Sequence, residues 1–458
     1  MSRWTRAVAP ASGRRRSAVG QACFSTALAR VAYHEDVAEN DPILSWALPL
    51  ARGSGPCGRR TGAGLVGQLA KLERKRKRVM FIVDAHQDIA YNALEWGRDL
   101  RRAVAETRAL EAREHPDYCR EDAQGGICMV GLPELRRGGV AIVFGTLFAY
   151  PLLGVGKGVN PRYRLTQSYR DPEGAWRVAR AQLDYYRRLA QEAGVWLLLT
   201  QEDLERFIEA WSQSNADDPQ RPFGIVPLME GADAVRRPEE AEDWFAAGLR
   251  VLGLAWAHGS RYCGGNGRPG PLTSEGRSLL RHMQRLGLVL DTSHLAEESF
   301  WQALEQFEGT VIASHSNCRA LVDTPRHLSD AMIRAIAERG GVIGIAPINP
   351  FLYADWKRSQ PFAVSLRRVV EHIDHVCQLT GSASHVGIGS DLDGGFGRDE
   401  TPEELETVAD FPRLAEALAA AGYAQEDIVR IMGGNWLRLL ERVLPRSGAA
   451  SPETDEKG

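Results

Sequence analysis

Residues 82 to 88, Ile-Val-Asp-Ala-His-Gln-Asp, join a short apolar run to a histidine and an aspartate two positions apart. Side chains i and i+2 of a strand share a face, so a nitrogen of His86 and an oxygen of Asp88 can converge on one cation. Alone, a His-x-Asp pair is a weak signal, but the pattern recurs. Gly287 to His294 reads Gly-Leu-Val-Leu-Asp-Thr-Ser-His, and Thr310 to His315 reads Thr-Val-Ile-Ala-Ser-His. Phe223 to Glu230 ends in a glutamate, and the run from Ser384 ends in Asp391 and Asp393. In a parallel α/β barrel, catalytic groups from several strands gather at the strand C-termini, which is where these side chains fall.

Two divalent ions about 3.5 to 4 Å apart require a bridging carboxylate with ligands on either side. Glu230 is the natural bridge, with His86 and Asp88 on one ion and His294 and His315 on the other. Such a pair yields hydroxide from a bridging water near neutral pH and polarises a carbonyl, so the chemistry implied is amide hydrolysis. Asp391 would orient or deprotonate that water and pass its proton to the leaving amine.

The elements that must position these groups are βα units. From residue 80 onward, apolar runs at 80–84, 139–147, 223–229, 249–255, 287–291, 310–314, 340–346 and 385–390 alternate with helical patterns. Eight strands predict a closed (β/α)8 TIM barrel. Helices are expected at 98–113, 176–193, 202–212, 273–286, 297–307, 329–339, 365–380 and 411–421, with an extra strand at 195–199. Gly-Gly pairs at 138–139 and 340–341 suit helix-to-strand connections that need positive φ. An open doubly wound sheet is the alternative, but no Gly-x-Gly-x-x-Gly follows the first strand and no Walker sequence occurs, so nucleotide binding has no support.

The chain has 458 residues, 44% hydrophobic and 25% charged, enough for a large core. No stretch reaches the roughly 18 to 20 continuous apolar residues of a membrane span. Seven cysteines (Cys23, Cys57, Cys119, Cys128, Cys263, Cys318 and Cys377) are scattered without Cys-x-x-Cys spacing, which predicts reduced thiols and a cytoplasmic protein. Residues 1–79 carry fifteen basic against five acidic side chains, whereas the whole chain has a net charge of -3. We expect 1–79 to be a basic extension that is disordered or foreign to the natural protein, 80–445 to be the barrel, and 446–458 to be a polar tail. No nucleic-acid or membrane partner is expected.

From Met80 to about Leu444 the sequence resembles the membrane (renal-type) dipeptidases, metallopeptidase family M19, a zinc-dependent branch of the amidohydrolase-like TIM barrels. The resemblance lies in Asp84-Ala-His-Gln-Asp88, Leu132 to Val140, Met229-Glu-Gly231, Leu272 to Gly276, Leu290 to His294, Ser314 to Leu321, Pro325 to Leu328, Gly340 to Gly344, His385 to Gly394 and Gly434-Asn-Trp436. It implies two zinc ions per chain, with His86 and Asp88 in one site, His294 and His315 in the other, and Glu230 between them. It further implies that Arg326 holds the substrate's C-terminal carboxylate, a task suited to a bidentate guanidinium. Asp391 then stands beside the substrate amine and the catalytic water. Members cleave dipeptides, often accept a D-residue at the C-terminal position, and are commonly homodimers.

Two departures bear on substrate choice. Animal members have Glu-Gly-Gly-His after strand three, where this chain has Glu230-Gly-Ala-Asp233. They also carry a histidine after strand four that contacts the tetrahedral intermediate; gapless alignment puts Trp256 there, with His258 two residues on. His258 is therefore expected to serve the oxyanion or Trp256 to wall the substrate pocket. The alternatives to a dipeptidase are a binuclear hydrolase for another small amide, such as an N-acyl amino acid or a lactam, and a non-catalytic metal-binding homologue. His282, His327, His372 and His375 are read as structural or solvated, Asp393 as shaping its turn, and Trp436 as core.

Overall fold

The computed structural model describes residues 80–114, 126–152, 165–192, 194–215, 218–359 and 363–448. The expectations for residues 1–79, for Cys119 and for most of the polar tail lie outside the described residues. Eight parallel strands form the barrel: β1 (Ile82–Gln87), β2 (Val140–Phe148), β3 (Phe223–Glu230), β4 (Val251–Gly253), β5 (Val289–Asp291), β6 (Val311–Ile312), β7 (Ile343–Ile345) and β8 (Val386–Ile388). The hydrogen-bonded order is β7-β8-β1-β2-β3-β4-β5-β6, and a parallel bridge between Ala313 and Ile343 spans the last seam. The extra strand, Val195–Leu197, pairs with the start of β3, and β4 pairs with β3 only from Leu228 onward.

Every residue of β1, β2 and β3 is buried, as expected for barrel strands covered on both faces. The helix before β5 shows how the sequence delivers a strand. The Thr273 hydroxyl caps the helix Ser274–Leu286 by accepting from Gly276 N, and Leu279, Leu280, Met283 and Leu286 bury one stripe. Gly287 then ends it at φ 72°, a left-handed conformation that glycine adopts without penalty.

One helical expectation needs correction. The helix expected at 98–113 starts at Val104, and a separate helix, Ile89–Trp96, follows β1 directly. Asp88 sits at the N-cap of that helix yet makes no side-chain cap, because its carboxylate is turned to a Thr146 hydroxyl. Arg98 is held outside both helices by Asn92 and Glu111, at 2.9 and 2.5 Å, and lies 3.5 Å from Asp393.

Side chains on alternate strand positions point into the lumen. Val83, Ile142, Phe144, Val226, Leu228 and Val251 fill its lower part and pack against Trp436 and Leu440 of the helix Asn435–Val443. Trp436 is fully buried, meets Phe144 at 5.3 Å between ring centroids, and donates Nε1–H to Ile388 O at 3.0 Å. At the seam, Gly344 and Gly389 crowd the Ser314 carbonyl so closely that a Cβ would stand 1.9 and 1.7 Å from its oxygen. Among the described residues no helix is long and apolar enough to cross a membrane, and Cys128, Cys263, Cys318 and Cys377 are free thiols.

Candidate metal centre

The lumen rows change character toward the strand C-termini. Two residues beyond Phe144 stands Thr146, beyond Leu228 stands Glu230, beyond Val289 stands Asp291, and beyond Ile312 stands Ser314. β1 reaches the same layer through a register shift between Asp84 and Gln87. Asp84 pins that irregular end to the chain after β8, accepting from Ser390 N at 2.7 Å, Ser390 Oγ at 2.5 Å and Gln87 Nε2 at 2.7 Å.

Glu230 stands at the centre. Its Oε1 lies 2.8 Å from His294 Nε2 and 3.4 Å from His315 Nε2, and its Oε2 lies 3.6 Å from His86 Nε2. His86 Nε2 is also 3.9 Å from Asp391 Oδ1, and the two imidazoles of His294 and His315 approach to 3.0 Å between Nε2 atoms. Glu230, His294 and His315 form one set of potential ligands, and His86, Asp88 and Asp391 form another, each with its ligand atoms within 4.8 Å of one another. The first five expected ligands and Asp391 are thus brought together.

The electrostatics fit a cation site. Burial raises the Glu230 carboxyl to about 8, with Arg326 acting against the rise and Asp291 adding to it. Asp88 rises to about 6 through burial and the neighbouring Glu230, and Asp391 rises through burial. Burial also holds His294 and His315 well below the usual imidazole value, so both are neutral. His86 Nε2 is buried without a hydrogen-bond partner among the described residues. Neutral imidazoles and crowded carboxylates, with an orphaned nitrogen between them, are a donor set that a divalent cation would satisfy. His294 Nδ1 meets Asn266 Oδ1 at 3.1 Å, which leaves Nε2 as the ligating atom.

Asp391 has φ 56°, a strained value for a residue with a Cβ, and its N–H donates to His86 O at 3.2 Å. Arg326 donates from Nη1 to Ser293 O and Ser316 Oγ, both at 2.9 Å, and from Nη2 to His315 O at 2.6 Å. Trp256 packs on Phe148 at 5.2 Å, Tyr150 at 5.5 Å and His294 at 6.1 Å, and forms an aromatic wall beside the centre. His258 is not brought among the ligands: it is exposed, with its ring 5.1 Å from that of Trp256. Asp233 faces the Tyr169 hydroxyl, and burial raises its carboxyl to about 6.

Asp393 stays out of both ligand sets, accepting from Met129 N at 3.0 Å and Val130 N at 3.0 Å. His372 accepts from Cys318 N, His375 pairs with Asp330 and His282 with Glu242. The sequence reading passed over Thr146, Asp291, Ser314 and Asn266. The first three share one signal, a polar side chain on the inward row of an apolar strand. Asn266 lies in a loop and gave none.

Histidines and carboxylates converging at the strand C-termini of an eight-stranded parallel barrel mark a candidate metal-dependent enzyme of the (β/α)8-barrel class. Residues 73–450 match the family described as membrane dipeptidase (Peptidase family M19). The chain belongs to that family and is classed with the metallo-dipeptidases. It is 36% identical over 230 residues to an uncharacterised protein in the pqqA 5' region of Klebsiella pneumoniae, covering 48% of this chain and 82% of that one. It is 34% identical over 168 residues to an uncharacterised dipeptidase of Schizosaccharomyces pombe, covering 37% of this chain but only 39% of the relative. Among solved structures, a metallopeptidase from Rhodobacter sphaeroides, liganded with a phosphinate mimic of the dipeptide L-Ala-D-Ala, aligns with a TM-score of 0.62 at 23% identity, covering 80% of this chain and 99% of that one.

Proposed function

We propose that the protein hydrolyses dipeptides at a binuclear zinc centre. The observation that carries the reading is the placement of Glu230, whose two oxygens face two separate ligand sets. His86 and Asp88 would hold one ion, His294 and His315 the other, and Glu230 would span them. When bound, such a pair supplies Lewis acidity and an activated water.

The chain's own groups account for the remaining steps. Asp391, whose burial raises its carboxylate's affinity for a proton, is suited when ionised to take a proton from the attacking water and return it to the departing amine. Three hydrogen bonds fix the Arg326 guanidinium, whose Nε–H and second Nη2–H have no partner among the described residues. That edge matches a substrate α-carboxylate. The wall of Trp256, Phe148 and Tyr150 favours an apolar side chain on the substrate. The Rhodobacter protein's ligand, a mimic of L-Ala-D-Ala, makes a D-residue at the C-terminal position the natural choice to include in a test.

One panel decides: L,L and L,D dipeptides, N-acyl amino acids and a lactam, assayed with added zinc alongside metal analysis. Turnover of dipeptides with about two ions per chain is expected. Turnover confined to N-acyl amino acids or the lactam would replace the dipeptidase reading, and full metal loading with no turnover of any of them would make this a non-catalytic homologue.

A further inference from the structure

Four donors converge on Asp291. Ser293 N, Ser293 Oγ and Ser314 N reach its Oδ1 at 3.1, 2.7 and 2.9 Å, and Ser314 Oγ reaches Oδ2 at 2.5 Å. The two Asp291 oxygens are the acceptors in all four bonds, so the Ser314 hydroxyl gives its single hydrogen to Asp291. Lone pairs are all that remain on that oxygen. Two imidazole nitrogens reach them, His315 Nδ1 at 2.8 Å and His86 Nδ1 at 3.3 Å. Each imidazole must therefore supply the hydrogen of its own bond. The Ser293 hydroxyl, 3.1 Å from Ser314 Oγ, cannot intervene, because its hydrogen is directed to Asp291 and it accepts from His315 N at 3.1 Å.

A neutral imidazole protonated at Nδ1 carries its lone pair at Nε2. Those Nε2 atoms are the ones that face Glu230. We infer that Ser314, oriented by Asp291, is a positioning residue that fixes the ligating tautomer of His86 and His315 together, so that one hydroxyl serves both halves of the centre. The link to two ions rests on the binuclear reading above; the tautomer assignment does not. The two rings, which come from the ends of β1 and β6, lie 3.6 Å apart between centroids, close enough to share the hydroxyl. Asp291 is near enough to be grouped with these histidines as a ligand, but four donors occupy its oxygens, and the Ser314 hydroxyl stands between it and their Nδ1 atoms. His294 is oriented separately by Asn266 and serves as an internal control.

Two variants test this. Ser314→Ala removes the shared acceptor. Asp291→Asn keeps the shape but adds an N–H that can donate to Ser314, which frees the hydroxyl to donate to His315 Nδ1 and drives the ring hydrogen to Nε2. Nitrogen NMR of metal-free protein with isotope-labelled histidine distinguishes the two ring nitrogens. We expect Nδ1–H forms of His86, His294 and His315 in the parent, altered spectra for both His86 and His315 in Ser314→Ala, an altered His315 in Asp291→Asn, and an unaltered His294. In Ser314→Ala, zinc affinity, measured against a competing chelator, should fall for both ions by roughly 10- to 100-fold, the usual cost of losing an outer-shell partner. Ser314→Thr, which keeps the hydroxyl, should restore most of it. A parental His315 tautomer in either variant, or in Ser314→Ala a loss of affinity at one ion with the other at its parental value, would overturn the inference. A parent that saturates at one zinc refutes the binuclear reading, and the tautomer spectra still decide this one. If Ser314→Ala does not fold, the His315 tautomer in Asp291→Asn still decides.

Discussion

The two ends of the barrel lumen stand on the same inward rows and obey opposite chemistry. At the lower end, Ile142, Phe144, Val226 and Leu228 close on Trp436, and burial of apolar surface stabilises the packing with no further partner. One or two inward positions higher, Thr146, Glu230, Asp291 and Ser314 are just as buried, and there burial works against the charged groups. The lower end is complete as folded. The upper end has shifted carboxylates, neutral histidines and an unpartnered His86 Nε2, so its stability and its activity both depend on what it binds. A uniform strand geometry thus gives a structural plug and a reactive site, according to where each inward row turns from apolar to polar.

The sharpest way to break this contrast is a substitution at each end. On the proposed binuclear reading, Glu230→Ala should remove both ions, because only a bridging ligand serves both, and turnover should fall by at least about a thousandfold, given the several kcal/mol such ions supply. Trp436→Ala should do the reverse: stability drops by about 3 to 5 kcal/mol, the usual cost of deleting a buried tryptophan, while the ion count per folded chain is kept. Metal analysis and denaturant titration of both proteins check the pair.

A pH series on chelated protein tests the upper end next. Glu230 is raised from 4.5 to about 8, so between about 6.5 and 8 the folded state holds a proton that the unfolded chain has released. Metal-free protein should therefore lose stability as pH rises through that window. Below about 6.5 the sign changes for His294 and His315, whose depressed values mean that the unfolded chain takes up protons the folded state does not. Zinc should abolish the loss at the alkaline side, because its binding favours the ionised carboxylate. Melting curves at several pH values, with and without zinc, read this directly; a metal-free protein equally stable at pH 6.5 and 8 would mean that Glu230 is not buried as described.

A smaller effect is expected from Arg326→Lys, which keeps the charge but loses the planar fork: KM for dipeptides should rise by on the order of tenfold with the ion count unchanged. Smaller still is the wall. Trp256→Ala should raise KM for apolar dipeptides by roughly tenfold or less, as one apolar contact allows. His258→Ala should leave kcat within about twofold, since its exposed ring packs, among the described residues, against Trp256. A large fall in kcat for His258→Ala would place that imidazole in the reaction.

The eight strands were legible because barrel strands buried on both faces read as unbroken apolar runs, and the ligands because each stands where such a run stops. The helix Ile89–Trp96 was not, since its N-cap aspartate was read as a ligand at the end of a strand, and its carboxylate meets Thr146 instead of capping the helix. Asp291 and Ser314 were seen as neighbours of His294 and His315 but not as their support, because serine and aspartate at a strand end read equally well as turn residues. The exposed position of His258 depends on the loop after β4, whose path is set by contacts such as Gly265 N to Arg268 O that no local pattern announces.

Gly344 and Gly389 show what a transplant of this centre would require. Six ligand-type side chains could be copied onto another eight-stranded barrel at the same strand ends, and their separations would still be wrong. The depth at which Ser314 stands is set by two neighbouring strands that approach its carbonyl closer than any Cβ allows. The site's blueprint therefore includes two places where nothing is written, and a designer who carried over only the residues that touch the metal would leave those two absences behind.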